Sequence, residues 1–234
     1  MPEKCATKVD ATSISKQLTA ALGEAQVLQI ARECRWLRRL RDITPLALVV
    51  ACLSTLGASK ATWIADILRT FNAFTGLSIR YKPFHNQLRK AAFPEFMRRL
   101  LERTLEKMTR LRWQIELLFK ECKSHANLHR FDTEKSEIAE GLIWASRLVV
   151  VLKRAITHAA QLAIGIELST QRAASCAKHV LDDILRCLLS NVPELAGAVD
   201  RACVFLGVNS RRAHPARDRQ RGRLSSGLIP LVTG

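Results

Sequence analysis

Apolar residues recur three and four positions apart along most of this chain, and nowhere do two runs of alternating Val, Ile, Thr or Tyr flank a hairpin turn. The first pattern predicts α-helix, and the lack of the second argues against a sheet. A helix over Ser15 to about Leu40 aligns Leu18, Leu22, Ala25, Leu28 and Ala31 and ends in Arg35, Arg38, Arg39 and Arg41. Cations at a helix C-terminus suit the macrodipole. So dense a cluster also suits contacts to phosphate, which makes Arg38 and Arg39 candidate binding residues.

Thr44 before Pro45 is an N-cap with proline at the first helical position, and that helix should end near Gly57. Ser59 caps the next, with Trp63, Ile64, Ile67, Leu68 and Phe71 as its expected buried side and Gly76 closing it. Lys82-Pro83 starts a third helix that carries Asn86, Gln87, Arg89 and Lys90. Two helices joined through a glycine-containing turn, the second bearing side chains able to read adenine and guanine edges, fit a helix-turn-helix. An ordinary helical hairpin with a polar outer face fits equally. Pro94 opens a further helix, with Phe96, Leu100, Leu101, Leu105 and Met108, and no breaker separates it from Thr109.

The stretch Thr109 to Ser124, TRLRWQIELLFKECKS, reads as one amphipathic helix. At about 100° per residue, Leu111, Ile115, Leu118, Phe119 and Cys122 share a narrow stripe. Arg112, Glu116 and Lys123 form a row along its edge. A carboxylate between two cations either ion-pairs on a solvated helix edge or holds a metal ion beside groups that grip phosphate, and spacing leaves both open. Asn127 to Thr133 is a loop. Thr133 caps a helix from about Glu134 to about Ile166, another spans about Thr170 to Leu189, and Pro193 opens a last one ending near Gly207. Asp182 and Asp183 are adjacent and point about 100° apart, so surface pairing, with Arg186 beyond Asp183, is preferred to a metal site.

The reading is all-α: a helical N-terminal domain over 15–108, a C-terminal helical region over 109–207 and a basic tail over 208–234. The balance of 37 Lys plus Arg against 21 Asp plus Glu gives a net charge of +16 and an isoelectric point of about 10.2. Such an excess favours a polyanionic partner, nucleic acid foremost. Asn209 to Gly234 holds Arg211, Arg212, Arg217, Arg219, Arg221 and Arg223 against Asp218 alone. A disordered tail of this kind binds phosphate without reading sequence, or serves only to solubilise. The cysteines stand singly with no Cys-x-x-Cys pair, which argues against zinc or disulfides and for a reducing cytoplasm. Ile43 to Ser59 is shorter than the roughly 20 residues of a membrane span, and Gly141 to Ile166 is broken by Arg147, Lys153 and Arg154. Both are read as buried helices.

The phrase around Arg112, Glu116 and Lys123 resembles the Tyr-x2-Arg-x3-Glu-x6-Lys signature of bacterial insertion-sequence transposases, the type-four branch of the DDE class. Leu53 to Met108, including TGLSIRYKPFHNQLRK and FPEFMRRLLERTLEKM, is similar to the DNA-binding region that precedes the catalytic core in that branch. The resemblance continues through Ile138-Ala139-Glu140-Gly141-Leu142-Ile143-Trp144. It implies that Glu116 is the third metal-binding acid, that Arg112 and Lys123 lie near DNA phosphates, and that Mg²⁺ serves the intact family. The signature tyrosine falls on Thr109. In the family a catalytic core of well over a hundred residues, with the first two aspartates and most of an RNase H-like sheet, stands between the two matched pieces. Here they join at about Met108-Thr109, so the chain resembles an internally deleted transposase. Val9-Asp10-Ala11-Thr12-Ser13 is superficially similar to the phrase around the first catalytic acid, but Asp10 precedes a helix instead of standing on a central strand.

Two-metal strand cleavage needs convergent carboxylates from separate elements, and Glu116 alone does not supply them. The expectation is therefore a protein inactive in transposition by itself, with no cofactor, that binds the terminal repeats of its element as duplex DNA. It would act as a homodimer or a mixed dimer with full-length transposase, in the bacterial cytoplasm at the nucleoid and not in the membrane. Two other readings stand beside it. One is a decay product whose flanks expose apolar faces, and the other is a helical interaction protein using the helices between 134 and 206.

Overall fold

The computed structural model describes residues 11–39, 42–58, 63–108 and 133–212. Asp10, Arg41, Ser59, the signature stretch with Arg112, Glu116 and Lys123, the loop after it and the tail beyond 212 lie outside these residues. The described helices are α1 (Ala11–Leu22), α2 (Glu24–Glu33), α3 (Pro45–Gly57), α4 (Ile64–Thr75), α5 (Tyr81–Leu88), α6 (Phe93–Lys107), α7 (Ser136–Ile164), α8 (Thr170–Ser190) and α9 (Leu195–Asn209). No strand occurs among the described residues, only an isolated antiparallel bridge between Leu168 and Arg211. The chain is all-α over these segments.

The helix expected over Ser15 to Leu40 is two helices. Gly23 breaks it with extended backbone, φ −64° and ψ 155°. A Cβ there would stand 2.4 Å from the Thr19 carbonyl oxygen, so the site takes only glycine. The break resets the helical phase. Val27, Ile30 and Ala31 are buried, whereas Ala25, which an unbroken helix would turn inward, is exposed.

In α3 the Thr44 hydroxyl accepts from the Ala47 N–H at 3.3 Å, the cap that the sequence predicts. Residues 45–53 are all buried. A helix apolar on every side belongs in a core, and α2, α4, α7 and α8 pack around it. Each fully buried Leu or Val there contributes about 1.5–3 kcal/mol of transfer free energy. No described helix is long and apolar enough to cross a membrane.

Trp63 is not on the buried side of α4. It precedes the helix with extended backbone, φ −117° and ψ 141°, so it does not share the helical face of Ile64, Ile67, Leu68 and Phe71, and it is 57% exposed. Gly76 closes α4 as expected, with φ 69° and its N–H donating to the Asn72 carbonyl at 2.9 Å. Only glycine adopts this left-handed backbone without a steric penalty.

The helix opened by Pro94 does not run on past Met108. Its last residue is Lys107, and Met108 leaves the helical region at φ −98°, ψ 55°. α7 begins at Ser136, two residues after the expected start. Thr133, the expected cap, accepts from the Lys135 N–H at 3.2 Å, but the cap position falls on Lys135, two residues later. With 29 residues, α7 is about 43 Å long and reaches α1, α3, α5, α6, α8 and α9. Its closest neighbour is α6, where Gly141 faces Phe93 so tightly that a Cβ would lie 2.2 Å from the ring. Further along, the Lys153 ammonium donates to the Gly57 carbonyl at 2.8 Å and completes the C-terminus of α3. Burial, with repulsion from Lys178, pushes Lys153 down to about 8.

Pro193 sits in a 3-10 turn, Val192–Glu194, that leads into α9. The α9 end is tied back to the α7–α8 connection, with the Ser169 N–H donating to the Ser210 carbonyl at 2.7 Å. α1 packs on both α6 and α9, so one apolar core runs from Ala11 to Leu206. Asp182 and Asp183 are surface ion-pair partners, although Arg186 pairs with Asp182 at 2.9 Å and Asp183 takes Arg201 at 2.7 Å. Asp182 also accepts from the Ser54 hydroxyl. Cys52, Cys187 and Cys203 are buried, and desolvation raises their thiols, Cys52 to about 12.

Candidate nucleic-acid interface

The segment after α2 and the helix α5 meet through one buried tryptophan. After Cys34 the chain turns at Arg35, which holds φ 58°, a left-handed conformation that costs a non-glycine residue about 1–2 kcal/mol. The turn is closed by the Leu37 N–H on the Ala31 carbonyl at 3.0 Å. It drives Trp36 inward, where it is fully buried and stacks on Phe96 with ring centroids 5.0 Å apart and planes 10° from parallel. The indole N–H donates to the Gln87 carbonyl at 3.1 Å. In return the Lys90 ammonium donates to the Trp36 carbonyl at 2.9 Å and lies 5.1 Å from the centre of its ring.

Arg38 and Arg39, two and three residues beyond Trp36, are both exposed. The junction separates the roles of the candidate residues on α5. Lys90 and the Gln87 backbone hold the junction, and both residues are half-buried. Asn86 and Arg89 are exposed. With Lys82 they form an outward row at spacings of four and three, which is one helix face. The opposite face is fixed by Phe84 and Leu88, both fully buried, with Phe84 tilted at 56° against Phe71 at 5.5 Å.

The connection over 76–80 is five residues long, one or two more than the usual helix-turn-helix turn, and it is held by a side chain that sequence reasoning did not single out. Asn72 accepts from the Ile79 N–H at 3.0 Å and donates to the Ile79 carbonyl at 3.1 Å. Nothing in the local pattern marks it beyond a polar residue near a helix end that could reach forward across a turn.

Charge distinguishes this face from its neighbour. From Ile67 to Pro94 the chain has no Asp or Glu, and Arg38, Arg39, Arg80, Lys82 and Arg89 form no ion pair among the described residues. The arginines of α6 are instead neutralised. Arg98 pairs with Glu95 and Glu102, Arg99 with Glu95 and Glu33, and Arg103 with Glu106. Hydrogen bonds from Arg98 and Arg99 hold the Glu95 carboxyl down at about 2. Unpaired, solvent-facing cations on one face and compensated ones on the next concentrate positive potential where α5 and the 35–39 segment meet.

The described residues do not assemble a site for the metal ions that the resemblance implies. No group of three His, Cys, Asp or Glu among them could hold one, and Asp182 and Asp183 are each engaged by an arginine. Glu116, Arg112 and Lys123 lie outside the described residues. No curated protein and no solved structure matches the chain. Residues 56–152, from the last turn of α3 through α4, α5 and α6 and into α7, match the family model described as Transposase DDE domain, and over that stretch the chain is similar to DDE transposases.

Proposed function

We propose that this chain is a DNA-binding derivative of an insertion-sequence transposase of the type-four branch, internally deleted near Met108-Thr109 and inactive in strand transfer on its own. The observation that carries the reading is that residues 67–94, which include α5, hold no acid and present Arg80, Lys82 and Arg89 without ion pairs among the described residues, within the stretch similar to DDE transposases. Residues 15–108 form the DNA-binding part, with α5 as the recognition helix. Asn86 and Arg89 face the bases, Gln87 contributes from the junction, and Arg38 and Arg39 grip the backbone. Lys90 acts mainly by holding Trp36. Residues 109–207 are the remnant of the catalytic domain, with Arg112 and Lys123 near phosphates and Glu116 an orphaned third acid without its Mg²⁺ partners.

Packing favours a folded product over a decay product. Helices on either side of 109–132 bury each other directly, Phe93 against Gly141, and few large apolar side chains are exposed among the described residues. The protein would occupy terminal repeats in the bacterial cytoplasm, as a homodimer or mixed with full-length transposase, and thereby compete with active enzyme. The test is the affinity of the purified chain for its element's terminal repeat and for a scrambled duplex of equal length. A preference of about tenfold or more for the repeat at physiological salt supports the reading, since each wrong base pair typically costs about 1–3 kcal/mol. Equal affinity for both removes α5 as a recognition helix.

A further inference from the structure

At the start of α5 the Tyr81 and His85 rings stack one helical turn apart, with centroids 5.5 Å apart and planes 28° from parallel. Tyr81 is 48% exposed although it is a large ring on a helix that buries Phe84 and Leu88 completely. Its neighbours in sequence are Arg80 and Lys82, both exposed, and Arg89, also exposed, follows the last residue of the same helix. None of these cations forms an ion pair among the described residues, and no acid lies between Ile67 and Pro94. An exposed aromatic pair is a poor feature for reading duplex, whose bases already stack on each other. It suits a base without a partner, because every base offers a π-face and flanking cations track the strand.

We propose that Tyr81, backed by His85, is a stacking platform for an unpaired base, with Arg80 and Lys82 holding the phosphates on either side of it, so that the chain prefers DNA ends carrying a single-stranded overhang to blunt duplex. The ligand is single-stranded DNA continuous with the duplex bound by the rest of the α5 face. The inference rests on the reading of that face as DNA-binding. The His85 ring supports Tyr81 from within the same helix, so the platform is held in place before a base arrives.

The test uses the full chain with a blunt duplex and with the same duplex bearing a short overhang that contains 2-aminopurine. The wild type should bind the overhang duplex about fivefold or more tightly than the blunt one and should quench 2-aminopurine fluorescence. Tyr81→Ala should remove that preference and the quenching while leaving blunt-duplex affinity unchanged. Tyr81→Phe, which keeps the ring, should retain both. Base stacking worth about 1–3 kcal/mol sets the expected loss at about five- to a hundredfold. Equal binding of the two duplexes, or quenching that survives Tyr81→Ala, overturns the platform while leaving the DNA-binding reading intact. No binding to either duplex by wild-type protein overturns both.

Discussion

Replacing Gly141 by alanine tests whether α6 and α7 meet directly. The added Cβ would lie 2.2 Å from both Cδ1 and Cε1 of Phe93 and 3.2 Å from Cγ. Ordinary carbon contacts need about 3.5 Å or more, so ring and helix would have to part by about 1.3 Å. Phe93 is fully buried and cannot swing into solvent. Overpacking of this kind costs about 1–3 kcal/mol, while alanine in place of glycine in a helix returns up to about 1 kcal/mol. A 2.2 Å contact puts the overpacking in the upper part of that range, so the net expectation is a loss of about 1–2 kcal/mol. For a chain of this size that lowers the melting temperature by about 2–8 °C, read by circular dichroism at the helical band. In the Gly141→Ala, Phe93→Leu double variant the smaller side chain should relieve the crowding, so the pair is less destabilised than the sum of the single changes. A Gly141→Ala protein as stable as wild type, or more so, would show the propensity term acting alone and refute the α6–α7 contact.

Two further outcomes follow from single side chains. The fall of Lys153 from 10.5 to about 8 corresponds to about 3 kcal/mol against the folded state at neutral pH. Between pH 8 and 10.5 the unfolded chain binds more protons than the folded one. Wild-type stability should therefore gain a contribution as pH rises through that window, and Lys153→Met, measured by urea denaturation at pH 7 and pH 10, should lack the gain. Asn72→Ala removes both side-chain bonds to Ile79 and should cost about 1–3 kcal/mol. Asn72→Asp keeps the acceptor and should restore slow exchange of the Ile79 amide, which Asn72→Ala loses.

Local chemistry made several elements legible. Thr44-Pro45 announced the start of α3, the uncharged run after it announced a buried helix, and Gly76 marked the end of α4, because caps and all-round apolarity act within a few residues. The misplaced features depend on distant partners or on backbone phase. Gly23 sits inside a run that is otherwise periodic, and glycine is tolerated in helices, so spacing does not mark the extended backbone that separates α1 from α2 there. Trp63 fits the apolar stripe of α4 by spacing and falls outside it because its backbone is extended. Arg89 and Lys90 are neighbouring cations that spacing cannot assign to different roles. A tryptophan far back in the chain separates them. The division of Arg186 and Arg201 between Asp182 and Asp183 depends likewise on where α9 packs. As for the signature stretch, Arg112, Glu116 and Lys123 owe their assignment to a residue pattern alone.

If the α5 face and the 35–39 segment bind the DNA backbone, their cations set the salt dependence of duplex affinity. The comparison is between wild type, a variant carrying Arg38→Gln, Arg39→Gln, Lys82→Gln and Arg89→Gln, and a control carrying Arg98→Gln and Arg99→Gln on α6. Each lost phosphate contact lowers the slope of log affinity against log salt by about 0.9. The slope should be shallower by about 3 in the quadruple variant, from the loss of Arg38, Arg39 and Lys82 at the phosphates, with its melting temperature kept, and little changed in the control. An unchanged slope in the quadruple variant would place DNA binding elsewhere on the chain and rule out this face.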